Sequence, residues 1–328
     1  MTDRAAEDTD SRDPTSLPVR VAGAGAREGV HREELYCRVS PEVDIFVRHV
    51  APAKPAATEG NRRHIWLLHG AGMDSLGFDI PVPGWSFMER LARRGHEIFA
   101  CDYRGHGRST RVADGAGIDA AVVRDDVAFV VRQLATSTES TADRAASDPE
   151  VHLVGISFGS VVAPMIAKEL GARIGSMTLL GPIFASLGAF GDDFAAFVEG
   201  LTTAPCGYAF TTEEEWSELF LASAEPAVLR WHEVCFGTAY AYPIGPYNSV
   251  ASLPVDTDLS TVTCPTRAIM GDRDPFASVD DMDHLFSLLG TDDTALIVQE
   301  NVGHLPYVEA HASSVIDTID AIVSGRPS

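Results

Sequence analysis

One serine, one histidine and a pair of aspartates stand out in this 328-residue sequence, because each follows a short apolar run and lies close to a glycine. The segment Val151-His-Leu-Val-Gly-Ile-Ser-Phe-Gly-Ser160 carries G-x-S-x-G, with Gly155, Ser157 and Gly159 in the fixed positions. Alone, three specified residues in a glycine-rich chain say little, and the context is what gives them meaning. The run before Ser157 reads as a strand. Val161, Val162, Met165, Ile166 and Leu170 continue it as a helix ending at Gly171, with Pro164 expected to kink that helix. So tight a strand-to-helix turn strains its central residue and leaves space only for glycine on either side. It lifts the Ser157 hydroxyl out at the sheet edge, over a helix N-terminus.

A serine hydroxyl is a poor nucleophile at neutral pH; it needs a base, and the base needs an acid to orient it. Gly271-Asp-Arg-Asp-Pro275, after the run TRAIMGD, offers Asp272 and Asp274, and Asn301-Val-Gly-His304, after TALIVQE, offers His304. Serine, acid and histidine in that chain order, each at the carboxyl end of a parallel strand, would form a nucleophile, orienting acid and base. The run HIWLLHG closes in His69-Gly70-Ala71-Gly72, which can aim the backbone N–H of Ala71 at the space above Ser157. With the N–H of Phe158 it would hold an oxyanion. His69 is expected to hold this turn rather than to exchange protons.

These groups need a rigid scaffold. Apolar runs at 64–70, 97–103, 151–157, 176–182, 266–272 and 294–300 alternate with helical patterns, the texture of a parallel sheet covered on both faces. ELYCRVS (33–39) and VDIFVRHV (43–50) read as an antiparallel hairpin, completing an eight-stranded, mostly parallel α/β sheet. Helical stripes run through Trp85, Met88, Leu91 and Ala92, through Val123 to Leu134, and over 305–323. Residues 1–30 read as a flexible acidic leader, 31–182 and 263–328 as the core, and 183–262 as an inserted, mainly helical cap without a strand of its own.

The motifs resemble those of the α/β-hydrolase superfamily, in its serine-nucleophile branch. The resembling residues are His69 to Gly72, Asp102-Tyr-Arg-Gly-His-Gly-Arg-Ser109, Gly155 to Gly159, Gly271 to Asp274, and Gly303-His304, spread in family order over residues 60–323. The resemblance implies that Asp274, three positions after the glycine, is the acid, with Asp272 as the fallback. It also implies that Asp102 to Ser109 is a structural turn, held by Asp102 and Arg104. Dehalogenases and epoxide hydrolases of this fold carry Asp at the nucleophile position, so Ser157 disfavours both.

Composition narrows the chemistry further. The chain has 25 Lys plus Arg against 47 Asp plus Glu, a formal net charge of -22, which disfavours nucleic acid and anionic membrane as partners. No apolar run is long enough to span a bilayer. Five cysteines without CxxC spacing and a polar, acidic N-terminus suit a cytoplasmic protein without a disulfide framework, and no metal or cofactor is expected. Thirteen of the 26 aromatic residues lie between Phe184 and Tyr247, as suits a lid over an apolar cleft. From Ile174 to Thr266 one basic residue, Arg230, faces eleven acids, with Glu213 to Glu218 expected to open a helix. A lid so poor in cations has no clamp for a phosphate or carboxylate handle, so a small, hydrophobic, neutral or cationic substrate is expected.

The reading that follows is a serine hydrolase acting on a carboxylic ester or lactone. Biosynthetic thioesterase or acyltransferase, aminopeptidase and C–C bond hydrolase remain alternatives on the same triad, and a ligand-binding receptor is the non-enzymatic one. Oligomeric state has no signature in the sequence.

Overall fold

The structure, a computed structural model, describes residues 19–27, 29–53, 63–137, 150–211, 223–237 and 240–326. The chain begins with β1 (Val19–Arg27), β2 (Val30–Ser40) and β3 (Val43–Pro52). The parallel strands follow as β4 (Arg63–Leu68), β5 (Glu97–Cys101), β6 (Glu150–Ser157) and β7 (Ile174–Pro182). β10 (Thr266–Gly271) and β11 (Thr294–Gln299) complete the set. Together they form one sheet in the order β1-β2-β3-β5-β4-β6-β7-β10-β11, antiparallel from β1 to β5 and parallel from β5 to β11.

Burial on both faces explains why the inner parallel strands read as apolar runs, whereas β11, at the edge of the sheet, is partly exposed. In β4, Ile65 and Leu67 pack on one face with Phe87 and Leu91 of α1 (Phe87–Ala92) and Ile316 and Ile319 of α8 (Ala312–Val323). Their neighbours Trp66 and Leu68 pack on the other face. There they meet Val127 and Val131 of α2 (Ala120–Ser137) and Val162 and Ile166 of α3 (Phe158–Leu170). A strand alternates its side chains between faces, so two buried faces leave no polar position. α3 runs through Pro164 as a single helix and gives way at Gly171.

The sheet has nine strands rather than eight. Val19–Arg27, read from sequence as leader, pairs antiparallel with β2 from Val19 opposite Cys37 to Arg27 opposite Val30. Its Gly- and Ala-rich sequence, mostly exposed, gives the strand no apolar alternation, so main-chain hydrogen bonds carry it and hydropathy does not reveal it. Residues 1–18 of that leader lie outside the described residues, as does the helix expected at Glu213 to Glu218.

Between β7 and β10 the insertion contributes α4 (Gly191–Leu201), α5 (Pro226–Phe236) and α6 (Gly245–Val250). It also holds two strands the sequence reading did not anticipate, β8 (Tyr208–Phe210) and β9 (Ala241–Pro243), paired antiparallel. Three residues each are too few to display a period of two. Phe194 and Val198 of α4 join the cluster that contains Phe158, while Val228 and Phe236 of α5 join the one that contains Phe78 and Tyr307. After β10 comes α7 (Val279–Leu288). The closing helix starts at Ala312 and not at 305, because Leu305 to His311 form turns after Pro306 in which Glu309 turns back to accept from a main-chain N–H group. No helix among the described residues is long and apolar enough to cross a membrane.

Candidate active site

Ser157 ends β6 and caps α3 with φ 52° and ψ -121°, a left-handed backbone that a serine adopts only when its surroundings enforce it. The glycines beside it are there for space. A Cβ on Gly155 would stand 2.3 Å from the Gly159 carbonyl oxygen, and one on Gly159 would stand 2.1 Å from that of Leu68. The Ser157 side chain makes no capping hydrogen bond to α3, which leaves the hydroxyl to the cavity and the first N–H groups of the helix, Phe158 among them, without an intrahelical acceptor.

His304 and Asp274 meet at the ends of the last two parallel strands. His304 Nδ1–H donates to Asp274 Oδ2 at 2.9 Å and lies 3.0 Å from Oδ1, with both side chains almost wholly buried. Asp274 is itself fixed, since its Oδ1 accepts from the N–H groups of Phe276 (2.9 Å) and Ala277 (3.3 Å). The Phe276 ring packs edge-on against the His304 imidazole at 4.7 Å. Asp272 does something else: its Oδ1 accepts from the Asn301 N–H at 2.7 Å, and its side chain is 38% exposed. Of the two aspartates, the structure brings Asp274 to the histidine.

His69, by contrast, has both ring nitrogens occupied by main chain. Its Nδ1–H donates to the Gly70 carbonyl at 2.8 Å and its Nε2 accepts from the Tyr103 N–H at 3.0 Å. Complete burial, with His106 nearby, holds its pKa well below the ordinary histidine range, so it stays neutral. In a trans peptide the carbonyl and the N–H point in opposite directions. Anchoring the Gly70 carbonyl to His69 therefore fixes where the Ala71 N–H points. His106 Nε2–H holds the next carbonyl, that of Ala71, at 2.9 Å.

Sequence reasoning missed a matching anchor on the other donor. The Ser160 hydroxyl donates to the Ser157 carbonyl at 2.5 Å, and so fixes the peptide that carries the Phe158 N–H, while accepting from Ile183 N–H at 2.9 Å. A serine after G-x-S-x-G gave no hint of this, because the contact is to main chain. The Asp102 turn is as the resemblance implied: Asp102 accepts from the N–H groups of Ser75 (2.9 Å) and Arg108 (2.7 Å), and Arg104 ties the loop to Asp126 of α2 at 2.7 Å and 2.9 Å.

Ser157, His304, Ala71 and Phe158 line one cavity of about 160 Å³. Its other walls are mostly apolar, with Phe190, Phe194, Phe197 and Tyr247 from the insertion and Phe276 from the core, and Thr211 adds a hydroxyl. No acidic side chain lines it among the described residues, and the insertion's Asp193, Glu199, Glu225 and Glu233 are exposed, as is Arg230. Among the described residues no cluster of His, Cys, Asp and Glu could hold a metal ion, and all five cysteines are free thiols.

Solved structures of similar shape include an esterase from Exiguobacterium antarcticum (19% identity, TM-score 0.62, 86% of this chain and 96% of that one). A thermophilic esterase from Thermogutta terrifontis has 18% identity and a TM-score of 0.64, covering 90% of this chain and 98% of its own. A soluble variant of monoglyceride lipase from Saccharomyces cerevisiae has 12% identity and a TM-score of 0.64, covering 90% and 96%. Comparison of the sequence with curated proteins gives no match. The model of the alpha/beta hydrolase family matches residues 67–317, and with this fold around it the chain belongs to that family and is an enzyme of the hydrolase class.

Proposed function

We propose that the protein is a serine hydrolase that cleaves a small, neutral, hydrophobic carboxylic ester or lactone through an acyl-enzyme. The observation that carries this reading is the shared cavity: Ser157 on its strained turn and His304, paired with the buried Asp274, border the same apolar space. In the mechanism, the Ser157 oxygen attacks the carbonyl carbon while His304 takes its proton. Asp274 keeps the ring in the Nδ1–H tautomer and stabilises the imidazolium that forms. The N–H groups of Ala71 and Phe158 receive the oxyanion, each contributing a few kcal/mol, about 3, to the transition state. As the tetrahedral intermediate collapses, His304 returns the proton to the departing alkoxide. Water, deprotonated by His304, then attacks the acyl-enzyme, and Ser157 leaves with the proton restored.

The insertion serves as the cap in this scheme, supplying aromatic walls to the cleft. With the described acids of the insertion outside the cavity lining, a substrate amine has no carboxylate to meet among the described residues, which favours a neutral ester over a cationic substrate or an aminopeptidase reaction. The free thiols suit a reducing compartment such as the cytoplasm. Turnover of p-nitrophenyl esters and labelling by a fluorophosphonate tests the reading. Both should vanish in folded Ser157→Ala, and turnover that survives the substitution overturns the reading. Ligand binding with neither labelling nor turnover in the unaltered chain would point instead to a receptor.

A further inference from the structure

Glu309 is completely buried, with 0% exposure, in the turns that follow His304. Its described partners are main-chain N–H groups and one hydroxyl. Gly303 N–H donates to both carboxylate oxygens, at 2.9 Å and 3.0 Å, and Leu305 N–H also donates to the carboxylate. These are the two residues that flank His304. The remaining bond comes from the insertion, where the Ser223 hydroxyl donates to Glu309 Oε2. A carboxylate buried on neutral donors has a desolvation cost that no opposite charge offsets, so it is not there to form an ion pair. What the carboxylate does instead is fix the backbone on either side of the imidazole. The space around that backbone is tight, since a Cβ on Gly181 would lie 2.2 Å from the His304 carbonyl oxygen.

We propose that Glu309 is a positioning residue for His304, and that Ser223 ties the seating of the insertion to it. Asp274 sets the rotation of the ring, while Glu309 sets the place of the main chain from which the ring hangs. The inference rests on the assignment of His304 as the base. A base displaced by a fraction of an ångström lowers the rate of the chemical step and leaves ground-state binding alone.

The test uses the full chain with Glu309→Ala, Glu309→Gln, Ser223→Ala and Ser157→Ala, each checked by urea unfolding, with kcat and KM measured on p-nitrophenyl butyrate. Glu309→Ala should lower kcat by about 100-fold, the size of effect that misplacing a catalytic group produces, with KM within about twofold. Glu309→Gln keeps one acceptor oxygen and should recover part of that loss, and it carries the test if the alanine variant does not fold. Ser223→Ala should lower kcat by about three- to tenfold, the worth of one hydrogen bond. Unchanged kcat in folded Glu309→Ala or Glu309→Gln, or a loss confined to KM, overturns the proposal while leaving the serine hydrolase reading intact if Ser157→Ala is dead. Turnover surviving in Ser157→Ala overturns both.

Discussion

Two histidines stand at the same edge of the same sheet, each buried and each at the carboxyl end of a parallel strand, His69 after β4 and His304 after β11. Their surroundings separate them. His304 spends Nδ1 on a carboxylate and its ring borders the cavity. His69 spends both nitrogens on main chain, one as donor and one as acceptor, and is stacked on Tyr103 at 3.7 Å. A histidine with one ring nitrogen paired to an acid has the other for proton transfer, whereas one with both nitrogens committed can only hold a shape. Residue type and strand position are equal here, so hydrogen-bond partners decide the role.

The sharpest way to break this contrast is to remove each side. His304→Ala should lower kcat by roughly 10⁴-fold or more without unfolding the chain, as read by steady-state kinetics beside urea midpoints. A smaller loss would move the base elsewhere. Asp274→Asn keeps the shape of the pair but favours the wrong tautomer, and about a 10³- to 10⁴-fold loss in kcat is expected. His69→Asn removes the brace behind the Ala71 peptide; kcat should fall by about 10- to 100-fold with KM nearly unchanged, less than the full loss of one oxyanion donor. A loss for His69→Asn as large as that for His304→Ala would erase the distinction.

Acid should also test the buried braces behind the Ala71 peptide. Burial pushes His106, which braces the Ala71 carbonyl, down to about 4, and it pushes His69 well below the ordinary histidine range too. Unfolded, both would take a proton near 6.5, so the unfolded state binds protons first as the pH falls. The contribution of His106 to stability is whole above about pH 6.5 and is lost toward pH 4, at about 1.4 kcal/mol per pH unit, and that of His69 is lost in the same direction as the pH falls. Urea midpoints at pH 7.5 and pH 5.0 should differ less in His106→Asn than in the unaltered chain. Smallest of all, Asp272→Asn should change kcat by less than about twofold, since its carboxylate holds a turn and leaves the imidazole to Asp274.

Much of this was legible in the sequence because the inner parallel strands are buried on both faces and leave continuous apolar runs, and the edge strand β11 keeps the apolar stretch Ala295 to Val298, so each run points at the residue that follows it. Ser157 and His304 could be placed that way. The choice of Asp274 over Asp272 came from family resemblance, because two aspartates two positions apart on one loop differ only in which way they face. Glu309 and Ser160 left no trace, since their partners are N–H and carbonyl groups that every residue shares. β1 was hidden for a related reason: Ala22 to Ala26 have almost no side chain to bury, and pairing carried mainly by main chain has no hydropathic signature.

The proposed reactive centre draws on His69 to Ala71, Ser157, Asp274 and His304, and its walls on the insertion between β7 and β10, so no single stretch of chain contains it. Such a centre cannot exist until the most distant strands have docked, and contacts between distant parts of a chain are the slow ones to form. Reactivity of Ser157 toward a fluorophosphonate during refolding should accordingly lag behind the recovery of helical signal. Covalent labelling would then act as a clock for the arrival of the last strand in the sheet.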